Sequence, residues 1–401
     1  MADKGVMSPA EAVDEYFDML IKSRFIEMFE GQGYQSIRLG DLLNQNMVVT
    51  RVDDPENESF VTLSSGGRGA RRREIKDGKV PVAFSGYRIH TGQFIYSRID
   101  ARNAAFDIVS ISLDGAVVSK DFPVFDINTG IIEPVFLLHS VLQDSFVRQI
   151  QNSSFGATNR QRIKEEVMME YTIVLPPLSK QKEYCCFVQL VHSIKIRYQK
   201  LITSFDNLIK SRFIEMFGKN QYDEKPLGEL FKTSSGGTPL KGRNDYYNEG
   251  TIPWLTSGEV NNERITEAKT KITDLALHET SAKIPPLNSV LVSMYGSIGY
   301  AGILEFKAAI NQAICAIHPN SNFTPEWICF FIRSKKDELV NQGVGAALTN
   351  ISQEKIRKLN VPLVPMSQQE EFTAFVHQVD KSKFEVVRSL TKLLESVEVP
   401  E

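Results

Sequence analysis

One phrase occurs twice. LIKSRFIEMF runs from Leu20 to Phe29 and again from Leu208 to Phe217, 188 positions later. The match extends upstream: Phe17–Phe29 and Phe205–Phe217 differ only at Met19 against Asn207. The same shift lays Leu39-Gly40-Asp41-Leu42 on Leu227-Gly228-Glu229-Leu230 and Pro177–Tyr184 on Pro365–Phe372. A single ungapped offset over distant segments means internal duplication, so the chain must fold as two related halves. Residues 43–160 and 231–348 share little. Drift erodes frame and inserts alike, whereas here only the frame keeps its identity. A duplicated scaffold presenting two different surfaces is therefore expected.

The frame reads as helix. Tyr184, Phe187, Val191, Ile194, Tyr198, Leu201, Phe205 and Leu208 follow in steps of three and four, the a/d seam of a coiled coil. Pro176-Pro177 sets the start and Gly218 the stop. A helix over 179–217 spans roughly 60 Å at ~1.5 Å per residue. The C-terminal copy begins at Ser367 and runs through Phe372, Phe375, Val379, Val386, Leu390 and Leu393. The N-terminal copy, from Pro9 to Phe29, matches only the latter half of the central helix. The chain thus opens with the end of a helix unit and closes with its beginning. This cyclic order predicts an antiparallel coiled coil of two long helices, related by a pseudo-twofold axis, with the inserts at opposite ends.

The inserts read as mixed α/β. Strands are expected at 92–98, 106–113 and 115–127, then a helix over 133–150. The second insert repeats that order with strands at 289–296, 300–306 and 314–319 and a helix over 325–341. The fold class is α/β (α+β mixed), with homologous inserts despite weak identity. The expected divisions are 1–30, 31–158, 159–218, 219–348 and 349–401.

Several functional classes lack support. The 401 residues carry 46 Lys and Arg against 49 Asp and Glu, a net charge of −3, unlike a protein that coats nucleic acid alone. The start lacks a secretory h-region, and no apolar run approaches a membrane span. Cys185, Cys186, Cys315 and Cys329 form no CxxC pair, and the histidines no HxxxH or HExxH, so neither disulfide framework nor zinc site is indicated. A reduced, cytoplasmic setting is expected. There is no GxxxxGK[ST], no GxGxxG at a strand–helix junction and no [DN]PP[YF]. Asp245 with Glu267 and Lys269 has the loose spacing of a metal-dependent nuclease, a pattern common by chance.

Binding chemistry is better represented. Between Gly66 and Arg102 nine Lys and Arg face three Asp and Glu, a local excess of +6. Arg68, Arg71, Arg72 and Arg73 suit phosphate neutralisation, with Arg88, Tyr96, Arg98, Arg102 and Asn103 in the same window. A solvated charged loop is the plain alternative. In the second insert, KTSSGGTPLKGR (232–243) reads as a flexible stretch with Ser234, Ser235, Thr238, Lys241 and Arg243. Trp254, Thr256 and Ser257 follow, then Tyr295 and Ser297 in MYGSIG and the amide pair Asn311-Gln312. Small hydroxyls and amides bind phosphates and read base edges, though such segments also serve as ordinary turns and caps.

With these phrases in hand, the chain resembles the specificity subunit of type I restriction-modification systems. IPWLTSGEV (252–260), VLVSMYGSIG (290–299), GQFIYSRIDARNAAFDIV (92–109) and IRKLNVPLVPMSQQEEF (356–372) are similar to recurring phrases of that family. The resemblance implies two target-recognition domains, each reading half of a bipartite, asymmetric site in double-stranded DNA. The helices would set the unread spacer, one to two turns at ~34–36 Å each. It also implies assembly with two methyltransferase subunits and with restriction and translocase subunits. S-adenosylmethionine, ATP and Mg would sit on those partners, leaving this chain without cofactor, catalysis or membrane. Recognition residues vary with target in the family, so the contacts above rest on residue chemistry. A stand-alone nuclease and a coiled-coil scaffold remain the alternatives.

Overall fold

A computed structural model of the chain describes residues 9–73, 83–152, 162–218, 222–260, 264–341 and 350–396. It resolves into two compact units, one built on Ser8–Tyr198 and the other on Gln199–Ser389. The helices fall where the repeat places them: Pro9–Phe29, Leu178–Phe217 and Met366–Ser396. Gly218 ends the central helix, since a Cβ there would lie 2.6 Å from the Ile214 carbonyl oxygen.

Within each unit two helix segments pair antiparallel, and the main contacts of the pairing are duplicated. In the N-terminal unit Lys195 reaches Asp18 at 3.4 Å, Arg24 lies over the Phe187 ring and Phe25 packs edge-on against Tyr184 at 5.4 Å. Shifted by 188, the C-terminal unit shows Lys383 on Asp206 at 2.7 Å, Arg212 over Phe375 and Phe213 edge-on to Phe372 at 5.4 Å. The repeated LIKSRFIEMF now has a physical role. Its two phenylalanines, Phe25 and Phe29 or Phe213 and Phe217, form an aromatic socket that receives Phe136 in one half and Trp327 in the other. Those guests come from the insert helices Pro134–Val141 and Pro325–Ser334.

The heptad seam needs correction beyond Tyr198. Leu201 and Leu208 are exposed, while Ile209, Phe213 and Phe217 are buried. A 3.5-residue repeat drifts by ~20° per heptad on a straight α-helix. The buried stripe therefore passes through Phe205, Ile209, Phe213 and Phe217, which share a core with Phe372, Val376 and Val379.

Each insert enters and leaves through a two-stranded ribbon that sequence patterning missed. Ser36–Arg38 pairs antiparallel with Thr172–Val174, and Glu224–Pro226 with Asn360–Pro362, in one register at the 188 offset. Beyond the ribbon each insert holds a sheet of common order. In the first it runs Leu43–Gln45, Val124–Ile127, Phe94–Tyr96, Phe106–Ile108; in the second Thr233–Ser235, Ile314–Ile317, Val290–Ser293, Ala301–Leu304. All these neighbours are antiparallel, and Phe125 opposite Gln45 matches Cys315 opposite Ser235. The inserts are thus homologous. The helices expected over 133–150 and 325–341 form but break, at Leu142–Gln143 and at Lys335.

Divergence lies beyond those four strands, and in the second insert Arg264–Ile265 joins the sheet as a fifth strand, parallel to Ala301–Leu304. The first insert adds Val49–Val52, Phe84–Arg88 and Val117–Ser119, all antiparallel, and a hairpin of Val61–Ser64 with Gly69–Arg72. The second adds Thr270–Ile272, Ile252–Leu255 and Ala309–Ile310, where the last two run parallel.

Candidate nucleic-acid interface

In the first insert the basic residues separate into two groups. Arg68 sits in the turn of the hairpin, with Arg71, Arg72 and Arg73 along and after its second strand; all four are exposed. Arg68 donates to the Ser65 carbonyl at 3.1 Å. Arg71, Arg72 and Arg73 take no carboxylate partner among the described residues. The hairpin is fixed rather than loose. Gly66 and Gly67 donate to the carbonyls of Asn103 and Ala104, and Ala70 to the Asp107 carboxylate at 2.5 Å. Burial raises the pKa of Asp107, against the lowering effect of the Ala70 and Ile108 amides. Arg102 and Asn103 therefore lie under the hairpin turn, joined to the arginine cluster. Lys76 and Lys79 of the same window lie outside the described residues.

The other group is committed to the fold, contrary to expectation. Arg88 forms an ion pair with Glu58 at 2.7 Å and donates to the Gly115 carbonyl at 2.6 Å. Arg98 is part-buried and bonded to Glu165. Tyr96 is 0% exposed, its hydroxyl donating to the Ile163 carbonyl at 3.1 Å, and burial pushes its pKa up. Tyr96 is core, because it stands on a strand between two others.

The second insert gathers its candidates around one turn, Asn311–Ala313. Gly236 donates to the Asn311 carbonyl, Asn311 to that of Leu255, and Met294 to that of Ala313. Thr238 and Ser235 hydroxyls bond to the side chain and carbonyl of Gln312. The loop carrying Ser257 packs against the strand leading to Tyr295. Thr238, Gln312 and Tyr295 are exposed at this end, with Ser257 and Ser297 half-buried.

Here too some expectations are corrected. The SSGG segment is pinned, not flexible: a Cβ on Gly236 would stand 1.7 Å from the Ile310 carbonyl oxygen. Trp254 is buried, with its indole N–H on the Gly237 carbonyl at 3.2 Å. Asn311 is 8% exposed and turns its amide oxygen to the Ala313 N–H. Thr256 is spent on a capping box with Glu259, and Ser234 bonds His318. Arg243 stacks 4.1 Å over Tyr246 between Asp245 and Glu279, and hydrogen bonding to Asp245 raises its pKa. Asp245 is thus engaged by Arg243, and among the described residues no three His, Cys, Asp or Glu are grouped so as to hold a metal ion. Lys241 is exposed but belongs to the loop before Arg243.

One pair escaped the sequence reading. Lys336 lies 4.1 Å over the ring of Tyr300, itself 38% exposed. Tyr300 reads as the first residue of a strand, yet the strand starts at Ala301. The MYGSIGY phrase carried the signal: Gly296 and Gly299 both take positive φ, and Tyr295 and Tyr300 beside them are exposed.

Known proteins bear on this arrangement. Residues 219–396 match the family described as type I restriction modification DNA specificity domain. The EcoR124I/EcoR124II type I specificity subunit of Escherichia coli is 22% identical over 185 residues, 45% of this chain and 46% of that protein. The MjaIX type I specificity subunit of Methanocaldococcus jannaschii is 22% identical over 164 residues, 40% of this chain and 38% of its own. These alignments span less than half the length of the curated relatives. A solved chain from a study of assembly and conformational transition in a type I R-M system shares the fold. Its TM-score is 0.55 and its identity 20%, with 91% of this chain and 94% of that one covered. No helix among the described residues is long and apolar enough to cross a membrane. The second half of the chain thus matches the type I restriction modification DNA specificity domain, and the chain is similar in fold to a solved chain of a type I R-M system.

Proposed function

We propose that this chain reads a bipartite, asymmetric site in double-stranded DNA, one half-site per insert, and catalyses nothing itself. The observation that carries this reading is the duplicated frame. Two units share helix pairing, ribbon and sheet register, yet expose unrelated ends: an arginine hairpin in the first, a hydroxyl, amide and tyrosine cluster in the second. The arginines supply salt-sensitive phosphate contacts, and Thr238, Gln312 and Tyr295 supply groups that reach base edges. The long helices set the spacer and dock two methyltransferase subunits, which carry S-adenosylmethionine. Restriction and translocase subunits, with ATP and Mg, complete a cytoplasmic assembly. The working divisions are two recognition domains, 31–158 and 219–348, between conserved regions.

Methylation mapping tests this. The chain is expressed with a type I methyltransferase partner in a host lacking adenine methylation, and modified adenines are read genome-wide. One split motif with a fixed gap is expected. An active methyltransferase that leaves no motif in the presence of this chain would overturn the reading.

A further inference from the structure

Gln181 and Gln369 stand 188 positions apart in the repeat and are both 0% exposed. Each makes the same three bonds. Gln181 accepts from the Glu133 N–H at 2.9 Å and donates to the carbonyls of Ile131 at 3.1 Å and Pro176 at 2.8 Å. Gln369 accepts from the Thr324 N–H at 3.0 Å and donates to the carbonyls of Asn322 at 3.1 Å and Val364 at 2.8 Å. Glu133 and Thr324 are the N-cap residues of the insert helices that fill the aromatic sockets. Pro176 and Val364 lie on the segments that lead from the ribbon into the long helices. One amide therefore ties the insert, the strand leaving it and the long helix at a single point.

The spacing is informative. The glutamines and their Pro176 and Val364 partners keep the 188 offset, whereas the insert partners are 191 apart. The inserts differ in length before this point, and the clamp is nonetheless identical to within a tenth of an ångström in every bond. An apolar side chain of equal volume would fill the space. A planar amide, with two donors and an acceptor in fixed directions, also fixes an angle.

We infer that Gln181 and Gln369 are positioning residues that fix how each insert sits on its long helix, and so set how strictly the two half-sites must be spaced. This rests on the proposed reading of a split site and adds which residues govern its gap. One base pair more or less moves a half-site by ~3.4 Å along the duplex. A rigidly seated insert rejects that displacement, and a rocking one accommodates it.

The test uses the full chain with its methyltransferase partner. Methylation is measured at the mapped motif and at the same half-sites with the gap one base pair shorter or longer, for wild type, Gln181→Met and Gln369→Met. Gln→Glu at each position, which keeps the acceptor and loses both donors, stands in for a Met variant that does not fold. Phe146→Leu, a core change against Phe106 and Tyr171, serves as a control of lowered melting temperature. The expected result is unchanged half-site sequences and about a tenfold rise in methylation at off-length gaps for the glutamine variants alone. Strict spacing in those variants, or equal loosening in Phe146→Leu, would overturn the inference while leaving the split-site reading intact. Absence of any motif in wild type would instead remove that reading.

Discussion

Arg71, Arg72 and Arg73 differ from Arg88, Arg98 and Arg243 in their company, not their chemistry. The first three face water; the others are held by Glu58, Glu165 and the Asp245–Glu279 pair. Replacing Arg71, Arg72 and Arg73 together by Ala is expected to weaken binding evenly across DNA sequences. The slope of log K against log salt should fall by about 2–3, near 0.9 per lost phosphate contact. Titrating cognate and scrambled duplexes at several salt concentrations measures this, and loss confined to one half-site would assign the arginines to base reading instead. The sequence displayed the arginines but could not show their partners, most of which lie tens of residues away, although Asp245 stands only two from Arg243. Tyr96 and Trp254 were misread similarly, since residue type suits stacking and core alike and only the sheet decides. His139 offers a pH test. Burial, then the charge of nearby His192, pushes its pKa down to about 4 from the usual ~6.5. Between those values the unfolded chain takes a proton that the fold refuses, so stability present above pH ~6.5 declines as pH falls toward 4, by up to about 2–3 kcal/mol. In the other half its place against the helix ring is taken by Phe330. His139→Phe should therefore gain in melting temperature relative to wild type as pH drops from 7 to 4.5; a constant difference would exclude His139 as the cause.

At the scale of elements, the long helices were legible almost to the residue, because Pro and Gly mark their ends and apolar spacing their faces. Their exact seam was not. Heptad counting chooses Leu208, whereas the buried neighbour is Ile209. Ile209→Ala is expected to cost about 2–5 kcal/mol in urea unfolding and Leu208→Ala under ~0.5 kcal/mol. Equal losses would restore the heptad seam. The ribbons and the smaller sheets went unread for another reason. Three-residue strands such as Ser36–Arg38 hold too few side chains to display alternation, and their partners lie across a whole insert.

For the whole molecule, the duplication was visible at once, and so was the division into a retained frame and divergent inserts. The homology of the inserts was visible only in the order of their strands, because sheet register survives where side-chain identity does not. The ribbon suggests a cleaner exchange than one at residue 31: replacing residues 39–171 by the matching insert of a relative should change one half-site and keep the gap. Methylation mapping of the chimera checks this, and a change in both half-sites would break the assignment of one insert to one half. The ribbon has a further consequence. Arg38 and Thr172 are paired neighbours, so whatever lies between them is a closed loop whose ends the frame already holds together. The entropy of closing such a loop grows only with the logarithm of its length, ~0.6 kcal/mol per doubling. An insert can therefore lengthen or shorten by tens of residues at almost no thermodynamic penalty to the frame, which leaves its surface free to diverge while the fold that carries it stays the same.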